Sequence, residues 1–162
     1  MKKNKTMKKI IALILLISFS VSSCSNDNET QELPQGLTVV VNGATKVFNI
    51  VSVEETVYGG GTPSEYSSLI LRGEIATNSI ERIVFTFRKG VTGKNAFGNM
   101  YYVDNEDREY YYFYYNEDER FIINVIKNDF SNLLQGKFYG KLYENGGPTE
   151  INMQKGSFNI QY

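Results

Sequence analysis

Residues 67–89 read SSLILRGEIATNSIERIVFTFRK. Leu69, Leu71, Gly73 and Ile75 share one parity, and Arg72 and Glu74 take the other. Thr77-Asn78-Ser79 then turns the chain. Alternation resumes with Ile83, Phe85 and Phe87 inward and Arg82, Thr86 and Arg88 outward. A period of two on both sides of a short polar turn predicts a β-hairpin with one buried face. No segment nearby keeps a helical period long enough to compete.

The same period runs outward in both directions. Residues 37–41 are apolar and β-branched, Asn42-Gly43 supplies a tight turn, and 46–53 returns as a strand. Gly59-Gly60-Gly61-Thr62-Pro63 reads as a loop. Three glycines in 90–99 break the pattern. Strands are then expected at 100–103, 109–115 and 121–126, with turns at 104–108, 116–120 and 127–132. The last pair is 136–143 and 151–162, joined by Asn145-Gly146-Gly147-Pro148. Ile151 and Met153 are odd, whereas Phe158, Ile160 and Tyr162 are even. That phase change predicts a β-bulge or bend at Gly156. About nine short strands with evenly spaced turns predict an all-β fold. It is read as an antiparallel β-sandwich, or alternatively an up-and-down β-barrel.

The first 24 residues are of another kind. Lys2, Lys3, Lys5, Lys8 and Lys9 precede an unbroken apolar run, 10–17, and no acid does. A membrane-spanning helix needs about 20 apolar residues. This run is shorter and gives way to serines, so it reads as a signal peptide. It ends Val21-Ser22-Ser23-Cys24, and Cys24 is the only cysteine. The four residues resemble the bacterial lipobox: an aliphatic residue, two small residues, then cysteine. That resemblance implies cleavage before Cys24 and acylation of its thiol. Each buried methylene contributes about 0.8 kcal/mol, so two or three acyl chains hold a protein stably to a bilayer.

Three parts follow: a signal peptide at 1–23, an acidic tether at 24–35 and one domain at 36–162. The tether, SNDNETQELPQG after Cys24, is polar throughout apart from one Leu and one Pro. Its acids resemble the surface-export tether of Bacteroidetes lipoproteins, and a solvated spacer explains them equally well. Loss of the five lysines takes 17 basic residues to 12 against 18 acids, a net charge of −6. Nothing in that charge favours nucleic acid. Membrane contact is expected through the lipid on Cys24. Localisation at the outer membrane, on the cell surface or the periplasmic face, follows from the resemblance.

The chain has no histidine, which excludes Ser-His-Asp and Cys-His catalysis and imidazole zinc sites. Catalytic residues, metal ligands and cofactors are all expected to be none. Paired carboxylates in a cleft would be needed for glycoside hydrolysis. Glu74 and Glu81 sit beside Arg72 and Arg82, which reads as cross-strand ion pairing. The acidic turns at 104–108 and 116–120 each hold an arginine and lack Ca²⁺-loop spacing. The candidate binding surface is the aromatic band Tyr110, Tyr111, Tyr112, Tyr114 and Tyr115, around Phe113. One parity enters the core. The other meets water, or stacks on a sugar ring or a peptide.

Val41-Asn42-Gly43, the strand Gly136-Lys-Phe-Tyr-Gly-Lys-Leu142 and the terminus Gly156-Ser-Phe-Asn-Ile160 resemble an uncharacterised domain of flavobacterial lipoproteins. The resemblance implies a compartment and a fold, and no reaction. The resulting expectation is a lipid-anchored, exported, non-catalytic binding or accessory module with a glycan or protein ligand. A glycan- or protein-processing enzyme and a purely structural envelope protein are the alternatives.

Overall fold

The computed structural model describes residues 33–112, 121–129 and 131–162. Cys24, Phe113, Tyr114 and Tyr115 lie outside them. The strands are β1 (Gly36–Val41), β2 (Ala44–Phe48), β3 (Ile50–Tyr58), β4 (Tyr66–Ile75) and β5 (Asn78–Arg88). Then come β6 (Phe97–Val103), β7 (Glu109–Tyr111), β8 (Phe121–Asn128), β9 (Leu133–Glu144) and β10 (Glu150–Gln161). One short 3-10 turn, Lys94–Ala96, precedes β6. Leu33–Tyr162 forms one unit.

All pairings are antiparallel, in the order β2-β1-β10-β9-β7-β6-β5-β4-β3, with β8 also on β9. Two junctions explain the shape. β2 and β3 stand at opposite ends of this order, yet only Asn49 separates them in the chain. One continuous path pairs first with β1 and then with β4. Likewise β7 pairs with Tyr143 and Glu144 of β9, and β8 pairs with its Leu134–Gly140 part. They are two halves of one strand, with residues 112–120 between them. The first strand pairs with the last, and the sheet is nearly closed and barrel-like. The all-β antiparallel fold expected from sequence is present, in a nearly closed, barrel-like form. A meander with short turns lets each strand pair with its chain neighbour, and twist brings the ends together.

Phenylalanines fill the interior. Phe85 lies edge-on to Phe138 at 4.9 Å and 5.9 Å from Phe158, and Phe87 lies 5.2 Å from Phe158. Leu37, Phe48, Leu69, Leu71, Ile83 and Met153 close round them, all buried. A small barrel is packed solid by its inward side chains.

The hairpin at 67–89 forms, with Leu71 opposite Phe85, but its turn is Ala76-Thr77, because Asn78 already pairs with Ile75 across an irregular step in the ladder. The expected irregularity near Gly156 is present. Met153 faces Gly140 and Gly156 faces Phe138, so two residues of β10 oppose one of β9, and Lys155 has φ 51°. Other boundaries differ. Residues 46–53 are parts of two strands, because the path changes partner at Asn49. The strand expected at 109–115 ends at Tyr111, where the ladder with β6 stops. The turn expected from residue 127 begins later, because Lys127 and Asn128 still pair with β9.

Candidate functional site

The register of β7 decides the fate of the tyrosine band. Tyr110 points inward and is 1% exposed. Its ring lies 6.2 Å from that of Tyr102, and its hydroxyl donates to Asp104 Oδ2 at 3.2 Å. Tyr112 packs against the core, 5.8 Å from Phe97 and 5.7 Å from Phe121. The Tyr110 ring is no ligand platform, a correction that follows from parity, whereas Tyr112 is only partly buried. Tyr111 faces outward. It stands between Tyr101 of β6 and Tyr143 of β9 in adjacent register. Its ring is 5.8 Å from that of Tyr101. The outward tyrosines thus form a row across three strands rather than along one. All three are half-buried. The Tyr111 hydroxyl donates to Glu109 Oε2 at 2.7 Å; that bond, with burial, raises its pKa.

A second outward aromatic group went unread in the sequence. Tyr58 and Tyr66 face each other across the β3–β4 ladder with rings stacked at 5.1 Å. The Arg88 guanidinium lies 5.5 Å over Tyr66. Their signal was symmetrical placement on either side of the glycine loop.

The buried acids are engaged. Glu81, 3% exposed, lies 2.9 Å from Lys46 Nζ and accepts the Tyr102 hydroxyl. Its partner is therefore on β2, not a neighbouring arginine. Glu74 stands opposite Arg82 in the ladder, but the Arg82 guanidinium lies 4.0 Å from Glu109 Oε1 instead, and among the described residues no ion pair joins Glu74 to an arginine. Burial, then the bond to Glu81, pushes the Tyr102 phenol far up. Asp104 Oδ1 accepts the N–H groups of Glu106 (2.9 Å) and Arg108 (3.0 Å). Its Oδ2 takes Arg108 Nε at 2.8 Å and Nη2 at 2.7 Å. The Asp104 carboxylate is thus met within its own turn. The turn at 116–120 lies outside the described residues. Among the described residues, no cluster of acids is placed to hold a metal ion.

A groove of about 480 Å³ lies where β2 leaves β1 to become β3. Leu37, Val47, Phe48, Val51 and Ile160 contribute to its lining, with Gln35 and Asn159. Comparison with protein-family models, with curated proteins and with solved structures finds no match to this chain.

Proposed function

We propose that this chain is an exported lipoprotein, held to the outer membrane by acyl groups on Cys24, whose barrel is a non-catalytic binding or accessory module. The observation that carries the reading is the order of five lysines, an apolar run and Val21-Ser22-Ser23-Cys24 at the sole cysteine. The resemblance of the C-terminal strands to flavobacterial lipoproteins supports the same compartment. Three features support binding over catalysis. The interior is packed with side chains, Glu81 and Asp104 are saturated by internal partners, and aromatic groups lie on the outer face.

Metabolic labelling with radioactive palmitate tests the anchor. The wild-type protein is expected to carry label and to fractionate with membranes, and Cys24→Ala to do neither. Recovery of an uncut, unlabelled wild-type chain would remove the anchor from this reading. For the ligand, a glycan array read with the wild type and Tyr111→Ala is the first screen. A signal lost in the variant would place a sugar on the outward tyrosine row.

A further inference from the structure

Among the described residues, β3 pairs on one edge only, with β4, through nine residues from Ile50 opposite Glu74 to Tyr58 opposite Tyr66. A strand edge without a partner presents a row of N–H and C=O groups that another strand can use. The register shows how this edge arises. β1 covers β2 as far as Leu37 opposite Phe48. Continued in that register, residues before Gly36 would run beside β3. Residues 33–35 turn away: Gly36 has φ 111°, and the Asn159 side-chain amide donates to the Leu33 carbonyl at 2.5 Å. The backbone leaves toward β10, and the 480 Å³ groove opens in the place it vacates.

The side chains of β3 tell the same story. Val51, Val53 and Val57 stand opposite Gly73, Leu71 and Ser67 and have the parity of the barrel interior. Yet Val57 is 54% exposed, and Val51 and Val53 are only partly buried. Inward valines lacking full cover mark a missing stave. Glu54, of outward parity, is exposed. Glu55, opposite Leu69 and of the valines' parity, is exposed and is neutralised by Lys89 at 2.5 Å.

We propose that this seam receives an extended segment of a partner protein, which adds to β3 as a strand and alternates apolar with basic residues. Backbone bonding to the edge supplies affinity, and alternate side chains supply selectivity. Apolar positions would cover Val51, Val53 and Val57, and basic ones would meet Glu54. Charge argues against the other occupants. Residues 25–32 carry Asp27, Glu29 and Glu32 and no apolar side chain. A second copy brings its own Glu54 to the same edge. The proposal deepens the binding reading above and is independent of the anchor.

The test uses the full-length protein extracted from cells in detergent. The probes are a nine-residue peptide alternating valine and lysine, and two versions of it N-methylated on opposite alternate residues. The two versions have equal charge, but only one keeps the edge facing β3 able to donate. The expected result is that one version binds like the parent, the other at least tenfold more weakly, and hydrogen exchange slows at alternate amides of 50–58. Glu54→Lys should weaken the lysine peptide and strengthen a valine–glutamate one. Equal binding of both N-methylated versions, or protection elsewhere, would overturn the proposal. So would slow exchange, in the free protein, at the β3 amides that point away from β4, whether from a dimer seen by sedimentation or from a cover already in place. A negative result here leaves the palmitate and glycan experiments to judge the broader reading separately.

Discussion

Gly136 of β9 stands directly opposite Phe158 of β10, and the Phe158 ring lies over it. A Cβ at Gly136 would overlap the end of that ring and come within 2.9 Å of the Asn124 carbonyl oxygen. The arrangement repeats in reverse two residues on. Phe138 of β9 faces Gly156 of β10, where a Cβ would lie 2.5 Å from the ring. Each strand supplies a glycine where its neighbour supplies a phenylalanine. The two rings then reach each other at 6.3 Å and meet Phe85. Rings laid over glycines restore the packing that a missing side chain forfeits.

Gly136→Ala is therefore expected to destabilise the barrel by about 1–3 kcal/mol, the usual cost of overpacking a filled core. Urea unfolding measures it. Adding Phe158→Leu to the variant should recover part of the loss, because the new methyl then meets a smaller side chain. An unchanged midpoint in Gly136→Ala alone would show that the ring moves aside freely.

Lys155 occupies the left-handed region within the bulge. An L-residue there costs about 1–2 kcal/mol that glycine avoids, against an entropic cost for glycine of about 0.5–1 kcal/mol. Lys155→Gly should raise stability by up to about 1 kcal/mol. A fall in melting temperature would mean that the lysine side chain contributes more than its backbone costs.

The bulge and the 67–89 hairpin were legible because each is a local matter of parity. Ile151 and Phe158 have opposite parity, yet both are buried, so one extra residue must lie between them. What was not legible depended on which strand lies alongside. Nothing around Asn49 marks the change of partner from β1 to β4. Nothing near Glu81 names Lys46, 35 residues earlier, as its counter-ion. The tyrosine band left open which parity faces outward; register places Tyr111 there. Its companions Tyr101 and Tyr143 come from other strands, and only register unites them. Asn128 read as a turn residue, but it ends β8 with its amide bonded to the carbonyls of Arg88 and Val91, at 2.7 and 2.9 Å.

The Lys46–Glu81 pair is buried on the acid side and partly open on the lysine side. Removing only Lys46 leaves a carboxylate in the wall with the Tyr102 hydroxyl as partner. Lys46→Met should cost about 1–3 kcal/mol, below the full penalty for breaking a buried pair because the ammonium is part-solvated. Lys46→Met with Glu81→Leu should cost less than the single change. Double-mutant cycles in urea decide this, and additive losses would mean that the two charges do not interact.

Acid should weaken the β6–β7 turn. Burial opposes ionisation of Asp104, but the Arg108 backbone and guanidinium and the Glu106 N–H outweigh it and hold the pKa below the usual range. A depressed native carboxylate contributes stability above the unfolded value of about 3.9, and loses it as pH falls through the native one. Asp104→Asn should therefore be less stable than wild type at neutral pH and converge on it below about pH 4. Parallel stability curves across that range would exclude this role.

Alkali should act on the tyrosines as a group. Burial first, then the Asp104 charge, raises Tyr110; burial raises Tyr102 and Tyr162 as well; the bond to Glu109 leads for Tyr111. In the unfolded chain these phenols release protons near pH 10, roughly the free value. The native state keeps them, so between about pH 10 and the native pKa values the unfolded chain binds fewer protons and is increasingly favoured. The stability they carry is whole below about pH 10 and falls above it. Ultraviolet titration of tyrosinate should rise in two stages. The phenols raised in the native state, Tyr102, Tyr110, Tyr111 and Tyr162, should ionise last, together with loss of near-ultraviolet dichroism. A single smooth titration of all twelve tyrosines with the dichroism intact would show that the interior phenols reach solvent without unfolding.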